Sequence, residues 1–332
     1  MSVEFNDCIE MGCEQRTQPL FSVVIPLYNK ADTIARTVRS VATQTFKDWE
    51  LIVVNDGSTD DSLSVAKRLS KDIPMRIIDK SNGGVSSARN EGARVAAGQY
   101  IALLDGDDIW FPNHLALLAK AIAKHPEVKF FGTGYERVLK NYVYYTIPWG
   151  GCCVKDVYLA FRYGQPIHTS TVAIDRLLWL SLGGFDPRFS FYEDYEFFFR
   201  LGMHTKCCVI RNISGQYMDD ASVQATKIKR CVSRMTRPHL ALVDEMLGKG
   251  VATAEMLSFA ATQFGLLVYN YSLNGDCDGI RRLMKDFPHI ANRHTATRFN
   301  WSAQSLGYRF YINVFVAIYK FRCHLINWRK NA

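Results

Sequence analysis

Four apolar segments, FSVVIPL (21–27), WELIVVND (49–56), MRIIDK (75–80) and QYIALLD (99–105), limit what this chain can fold into. Most are nearly unbroken in their apolar character, as strands covered on both faces must be. Between them lie helical patterns. ADTIARTVRSVATQ (31–44) puts Ile34, Val38 and Val41 on one face, STDDSLSVAKRLS (58–70) opens with Ser58 and Asp61 as a capping box, and GGVSSARNEGARVAAG (83–98) is led by glycine and stopped by Gly98. Strand–helix–strand repeated in this way calls for an α/β fold, a mostly parallel sheet with right-handed crossovers and helices on its faces. A helix is expected over 112–124 and a strand over 128–134, followed by an aromatic stretch with Tyr142, Tyr144, Tyr145 and Trp149. Residues 168–202 read as a strand, a short helix, a Gly-Gly turn and a helix starting near Glu193. Beyond about residue 222 the pattern is helical. The organisation expected is a tail over 1–20, a ligand-binding catalytic domain over 21–222 and a helical region over 223–332.

In parallel sheets of this kind the ligand sits outside the carboxyl ends of the strands. There the first strand delivers Pro26, Tyr28 and Asn29, the second Asn55 and Asp56, and the fourth Asp105, Asp107 and Asp108. Three carboxylates within four residues repel one another. Oxygen donors with open positions suit Mg²⁺ or Mn²⁺, which keep waters and bridge to phosphates. The bland alternative is a solvated loop whose aspartate caps the helix after Pro112. With a divalent ion the site suits a nucleoside diphosphate, the ion neutralising a departing pyrophosphate. Neither GxGxxG nor GxxxxGK[ST] occurs in the expected place, so neither a dinucleotide nor a P-loop phosphate site is expected. Asp56 could accept a hydrogen bond from a pyrimidine N–H, and Arg89 could reach base or phosphate or be a plain surface arginine.

Charge divides the chain of 332 residues unevenly: residues 1–205 carry 22 Lys and Arg against 24 Asp and Glu, residues 206–332 carry 18 against 8. The basic half implies an anionic partner such as a membrane surface, a phosphorylated acceptor or nucleic acid. The nine cysteines, with adjacent pairs at Cys152-Cys153 and Cys207-Cys208, suit free thiols better than a disulfide framework. No signal-peptide pattern opens the chain and no uncharged apolar run approaches the ~20 residues of a membrane span. A cytoplasmic location is expected.

VVIPLYN, VNDGSTDDS, NGGVSSARNEG, LLDGDD, GGFD and EDYEFFFRL, in this order, closely resemble the family 2 glycosyltransferases over about residues 21–225. The resemblance implies a Rossmann-like GT-A domain, a nucleotide-sugar donor, a DxD-bound divalent metal (Mn²⁺ or Mg²⁺) and inversion at the sugar carbon. It further implies that Pro26, Tyr28 and Asn29 line the nucleotide site, that Asp56 and Arg89 contact the nucleotide, and that Asp105 faces the ribose. Asp107 would hold the metal with Asp108 beside it, and Asp194, with Glu193 next to it, would be the base. Gly183, Gly184, Phe185 and Asp186 would border the acceptor. Trp149 could stack on a sugar ring or be packing; His168 reads as a hydrogen-bonded structural residue.

The chemistry explains these types. An acceptor hydroxyl attacks the sugar C1 from the face opposite the diphosphate, and one carboxylate must take its proton. Asp194 near a helix N-terminus is favoured as the anion by the dipole, while burial against Phe191, Phe197 and Phe198 would push its pKa the other way. In QYMDDASVQ (216–224) Met218 stands where relatives often carry arginine, and Asp219 or Asp220 where they carry histidine. The helix expected over 253–272 is apolar nearly all round and should be buried or form a subunit contact, as in a homodimer. YRFYINVFVAIYKFRCHLINWRK (308–330) combines aromatics with Arg and Lys, suiting either an interfacial helix on an anionic membrane, near a lipid-linked acceptor, or a helix folded back on the protein. The expected function is transfer from a UDP-sugar, with a dTDP-sugar as the close alternative, in surface polysaccharide or glycolipid synthesis, with no nucleic acid partner. A nucleotidyltransferase and a silent nucleotide-sugar-binding scaffold are the alternatives.

Overall fold

The computed structural model describes residues 18–139, 142–146, 153–162, 164–218, 237–273 and 276–296. Its first half runs β1 (Phe21–Leu27), α1 (Ile34–Ala42), β2 (Trp49–Asp56), α2 (Ser62–Leu69), β3 (Arg76–Lys80), α3 (Val85–Val95) and β4 (Tyr100–Leu103). There follow β5 (Ile109–Trp110), α4 (His114–Lys124), β6 (Phe130–Leu139), β7 (Tyr142–Thr146), β8 (Cys153–Lys155), α5 (Val157–Phe161), β9 (Val172–Asp175), α6 (Arg176–Ser181), α7 (Glu193–Gly202) and β10 (Cys207–Met218). Helices α8 (Pro238–Gly248), α9 (Ala254–Leu273), α10 (Cys277–Asp286) and α11 (Pro288–Ala296) complete the described chain.

One sheet carries the order β3-β2-β1-β4-β9-β6-β10-β5, with β7 on β6 and β8 on β10. Its β3-β2-β1-β4 half is parallel, as the unbroken apolar segments predict, and every residue of β1 and β4 is buried. The other half is mixed, which is less parallel than expected. β9 runs antiparallel between β4 and β6, because it leaves the site edge after residue 171 instead of returning through a crossover helix.

Alternate residues of the strands serve two cores. Val23 and Ile25 face Ile34, Val38 and Val41 of α1 and Leu115 and Leu118 of α4. Val24, Ile101 and Leu103 face α3 and the aromatics Phe197, Phe198 and Phe199 of α7. Phe259 and Phe264 of α9 and Leu240 of α8 join that second core, so one face of the apolar α9 is buried within the chain while Ala254, Ala261 and Asn270 stay exposed. α3 lies close on β1: a Cβ at Gly92 would stand 2.4 Å from Val24 Cγ1. This brings Arg89, one turn earlier, toward the strand ends.

One expected helix start moves. α2 begins at Ser62, and its N-cap residue Asp61 makes no side-chain capping bond. Ser58 is drawn instead to the end of β1, where its Oγ accepts from Asn29 N at 3.2 Å. Asp60 Oδ1 accepts from Ser62 N at 2.9 Å. Among the described residues no helix is long and apolar enough to cross a membrane.

Candidate active site

β2 and β4 lie on opposite sides of β1, so the chain direction across the sheet reverses there and a crevice opens at the strand ends. The acidic loop 105–108 lies in it. A polar stripe along α1 and the residues flanking it, 33, 36, 37, 40 and 44, fastens this loop. Thr33 Oγ1 donates to Gly106 O at 2.8 Å, Arg36 Nη2 to Asp107 O at 3.0 Å and Thr37 Oγ1 to Asp108 O at 2.8 Å. Ser40 Oγ accepts from Trp110 N at 3.2 Å, and Gln44 Nε2 donates to Phe111 O at 2.8 Å. Sequence reading took only the apolar face of α1. The offsets of four, three and four between Thr33, Thr37, Ser40 and Gln44 were a second helical stripe that could have found this one.

The three loop carboxylates take different directions. Asp105 Oδ1 accepts from Arg89 Nη2 at 2.7 Å. Burial alone would raise its pKa, but the Arg89 guanidinium more than offsets that and holds it below the usual range. Asp107 pairs with the Lys30 ammonium. Asp108 turns inward: its carboxylate accepts from Ser170 Oγ at 2.5 Å and Met218 N at 2.9 Å, and its side chain is 1% exposed. Burial, then repulsion by Asp105 and Asp107, pushes its pKa well up. Asp108 therefore departs from the expected place beside a cleft metal, because the hydroxyl and amide behind the loop claim it.

Asp56 is held by the turn that opens α3. Its carboxylate accepts from Lys80 Nζ at 2.6 Å, Gly83 N at 2.9 Å and Gly84 N at 2.8 Å, and is 3% exposed. It shapes the 83–84 turn at the start of α3. Pro26 is buried in β1, while Tyr28 stands 47% exposed beyond it. Asn29 adopts a left-handed backbone (φ 50°), with Oδ1 accepting from Thr59 N at 2.8 Å.

Arg89 is the hub between the two halves of the site. It is buried, bonds Asp105, donates from Nη1 to Glu193 Oε1 at 3.2 Å and stacks 5.0 Å over the Phe185 ring. It is no surface arginine. Beside Glu193, Asp194 Oδ2 accepts from Thr169 Oγ1 at 3.1 Å and Gln165 Nε2 at 3.3 Å, and Oδ1 accepts from Tyr195 N at 2.8 Å. These partners are neutral. Burial, then the neighbouring Glu193 charge, pushes the Asp194 pKa up to about 6, so burial outweighs the helix dipole.

Gly184, Phe185 and Asp186 form a turn packed against α3. Phe185 is 1% exposed, and its backbone exchanges two hydrogen bonds with the Asn90 amide at 2.7 and 2.9 Å. Gly184 has φ +69°, and a Cβ there would meet Asn90 Oδ1 at 2.2 Å. Asp186 is engaged by Arg188. This turn braces Arg89 from behind. His168 is structural as expected: Nδ1 accepts from Ser170 N at 3.2 Å, and the ring stacks 4.2 Å from Tyr217. Trp149, Asp219, Asp220 and the 308–330 segment lie outside the described residues.

Tyr192, unmarked by any sequence signal, is the other non-glycine residue with a left-handed backbone among those described (φ 55°). It begins α7, is 37% exposed and carries the Arg237 guanidinium 4.2 Å over its ring. Arg237 belongs to the approach to α8, so the C-terminal helices brace the start of α7.

Among the described residues no group of three or more His, Cys, Asp and Glu is arranged to hold a metal ion. Of the loop carboxylates, Asp107 is part-exposed (27%) and partnered by a flexible side chain. Mg²⁺ and Mn²⁺ are commonly held by one or two carboxylates together with substrate phosphates and water. The residues present fit an ion that arrives with a diphosphate, not an all-protein cage.

Residues 22–171 match the model of Glycosyl transferase family 2. An uncharacterized glycosyltransferase of Escherichia coli, YibD, is 45% identical over 93 residues, 28% of this chain and 27% of its own. A hyaluronan synthase of Pasteurella multocida is 28% identical over 277 residues, 80% of this chain and 25% of its own. The chain spans between 17% and 58% of the length of these curated relatives and others like them. Among solved structures, S. aureus TarS 1–349 in complex with UDP-GlcNAc superposes with a TM-score of 0.68 at 18% identity, over 83% of each chain, a likeness of fold.

Proposed function

From the match of residues 22–171 to the model of Glycosyl transferase family 2, we propose that this chain is an inverting glycosyltransferase taking its sugar from a nucleoside diphosphate, with UDP-sugar the favoured donor. The observation that carries this reading is the Asp105–Arg89–Glu193 bridge. One buried guanidinium fixes the acidic loop at the strand ends relative to the α7 N-terminus, where Asp194 stands with a raised pKa and neutral partners. A positioned carboxylate ionised near neutral pH suits proton removal from an acceptor hydroxyl.

The roles follow. Asp194 takes the acceptor proton, and Glu193 keeps Arg89 aligned. Tyr28, exposed at the end of β1, offers a face to the base, while Asn29 and Asp56 hold the turns that frame the nucleotide. Asp105 faces the ribose through its free oxygen. Asp107 would hold Mn²⁺ or Mg²⁺, and the bound ion would supply positive charge to the departing diphosphate. Asp108 anchors the loop from below. With one base and no protein nucleophile, a single displacement inverts the sugar carbon.

The complexes of S. aureus TarS with UDP-GlcNAc and with UDP support a UDP donor, and the hyaluronan synthase relative supports a glycan product. A lipid-linked or polysaccharide acceptor, with 308–330 docking on an anionic membrane on the cytoplasmic side, belongs to the same proposal on sequence grounds. The test is nucleotide release with Mn²⁺ across UDP-, dTDP- and GDP-sugars, for wild type and Asp107→Ala. Release from one donor, lost with chelator and in Asp107→Ala, is the expected result. Failure of every donor to bind or turn over would overturn the reading.

A further inference from the structure

We infer that Lys30 is an exchangeable counter-ion. Its ammonium holds Asp107 while the donor is absent, then gives that carboxylate to the divalent ion and moves to the donor's diphosphate. The inference rests on the reading of the site as one for a nucleoside diphosphate and a metal.

The two cations that pair with carboxylates of the acidic loop are built differently. Arg89 is fixed: its side chain is 4% exposed, it grips two carboxylates and it stacks on Phe185. Lys30 is anchored by its backbone alone. Its N donates to Ser62 Oγ at 2.7 Å and its O accepts from Ile34 N at 2.9 Å. The preceding Asn29 turn, left-handed and tied to Thr59, aims the side chain across Gly106 toward Asp107. The side chain itself is 23% exposed and meets a carboxylate that is 27% exposed. A compact ammonium on a four-carbon stem can swing where a planar, doubly engaged guanidinium cannot.

Electrostatics makes the exchange necessary. Four carboxylates, Asp105, Asp107, Asp108 and Glu193, face three cations here, Arg89, Lys30 and the Arg36 guanidinium on Asp107 O, so negative charge is in surplus. A divalent ion on Asp107 relieves that surplus, but it cannot share the carboxylate with the ammonium without like-charge repulsion. The ion alone must therefore compete with Lys30. A diphosphate removes the competition by offering the ammonium new anionic oxygens. Metal and nucleotide should accordingly bind cooperatively, with Lys30 as part of the coupling.

The test measures two affinities in wild type, Lys30→Met and Lys30→Arg, after thermal melts confirm folding. Mn²⁺ binding without nucleotide is followed by the EPR signal of the free ion, and UDP binding by calorimetry with saturating Mn²⁺. Lys30→Met should bind Mn²⁺ alone at least fivefold tighter and UDP at least tenfold weaker. Lys30→Arg, with its charge kept, should stay within about threefold of wild type for UDP. A merely structural role would move both affinities the same way, and that result, or no change in either, overturns the inference. Wild-type binding of UDP that is indifferent to Mn²⁺ also overturns it. A wild type that binds no UDP under any metal condition defeats the nucleotide reading itself, and the inference with it.

Discussion

Arg89 separates two sets of carboxylates that share a residue type and little else. On the strand-end side Asp56 has Lys80, Asp105 has Arg89 and Asp107 has Lys30. On the α7 side Asp194 is hydrogen-bonded by a hydroxyl and two amides, and burial and the repulsion of Glu193 outweigh the attraction of the nearby Arg89 charge. The pKa of Asp105 is accordingly driven down and that of Asp194 up, although both are shielded from water. On the proposed reading, direct ion pairing suits the first set to holding ligands and turns, and the lack of an ion pair on Asp194 suits that carboxyl to accepting a proton.

The largest expected effect comes from Asp194→Asn. Removing a general base costs on the order of 10²–10⁴-fold in rate, while UDP affinity should stay within about twofold because the strand-end set is untouched. Wild-type transfer should fall as pH drops through about 6, where Asp194 takes up its proton. A limb near 4 would mean an ordinary carboxylate. Stability carries the opposite sign. A carboxyl whose folded pKa lies above its unfolded value, about 3.9, costs stability increasingly as pH rises from there to about 6, and fully above it. Asp194→Asn should melt higher than wild type at pH 7.5 and near it at pH 4.

Arg89→Met is the next test, because it breaks the comparison at its centre. It leaves Asp105 and Glu193 without their cation in a buried setting, where loss of one partner costs about 3–5 kcal/mol. Chemical denaturation should show that loss, and UDP affinity should fall with it. Asp56→Asn should do less: the Asn side chain can accept from one glycine amide, so a few-fold loss in UDP affinity with a cost of about 1–3 kcal/mol is expected in a melt. Thr37→Val, nearly isosteric, removes one hydrogen bond to Asp108 O and should cost about 0.5–1.5 kcal/mol. Its further consequence is a raised KM for the donor with kcat little changed, since α1 positions the loop and does not touch the acceptor.

The comparison also explains what could be read in advance. The strand ends were legible because each apolar segment stops where its polar residues begin, and these ends lie together in any parallel sheet of this connectivity. The resemblance to the family whose model residues 22–171 match was legible for the same reason, being carried by the turns at those ends. The direction of neighbouring side chains was not. Asp107 and Asp108 are adjacent in sequence, yet one faces the cleft and the other is captured by Ser170, 62 residues away, and by Met218, 110 residues away. Arg89 looks like any helix arginine until Asp105 and Glu193, 16 and 104 residues distant, close on it. The insertion of antiparallel β9 beside β4 was likewise set by long-range pairing, with no local sign. That GGFD also braces Arg89 was not legible, because the close approach of Asn90 and Trp179 to Gly184 is a tertiary contact.

The central claim is that ligand holding and proton removal are divided across Arg89. Its most direct test measures UDP affinity and sugar-nucleotide turnover on one preparation each of wild type and Asp194→Asn, with Mn²⁺, at pH 7.5. The account predicts equal affinities and a turnover lowered at least a hundredfold in the variant. Turnover that survives in Asp194→Asn, or affinity that falls along with it, would contradict the account.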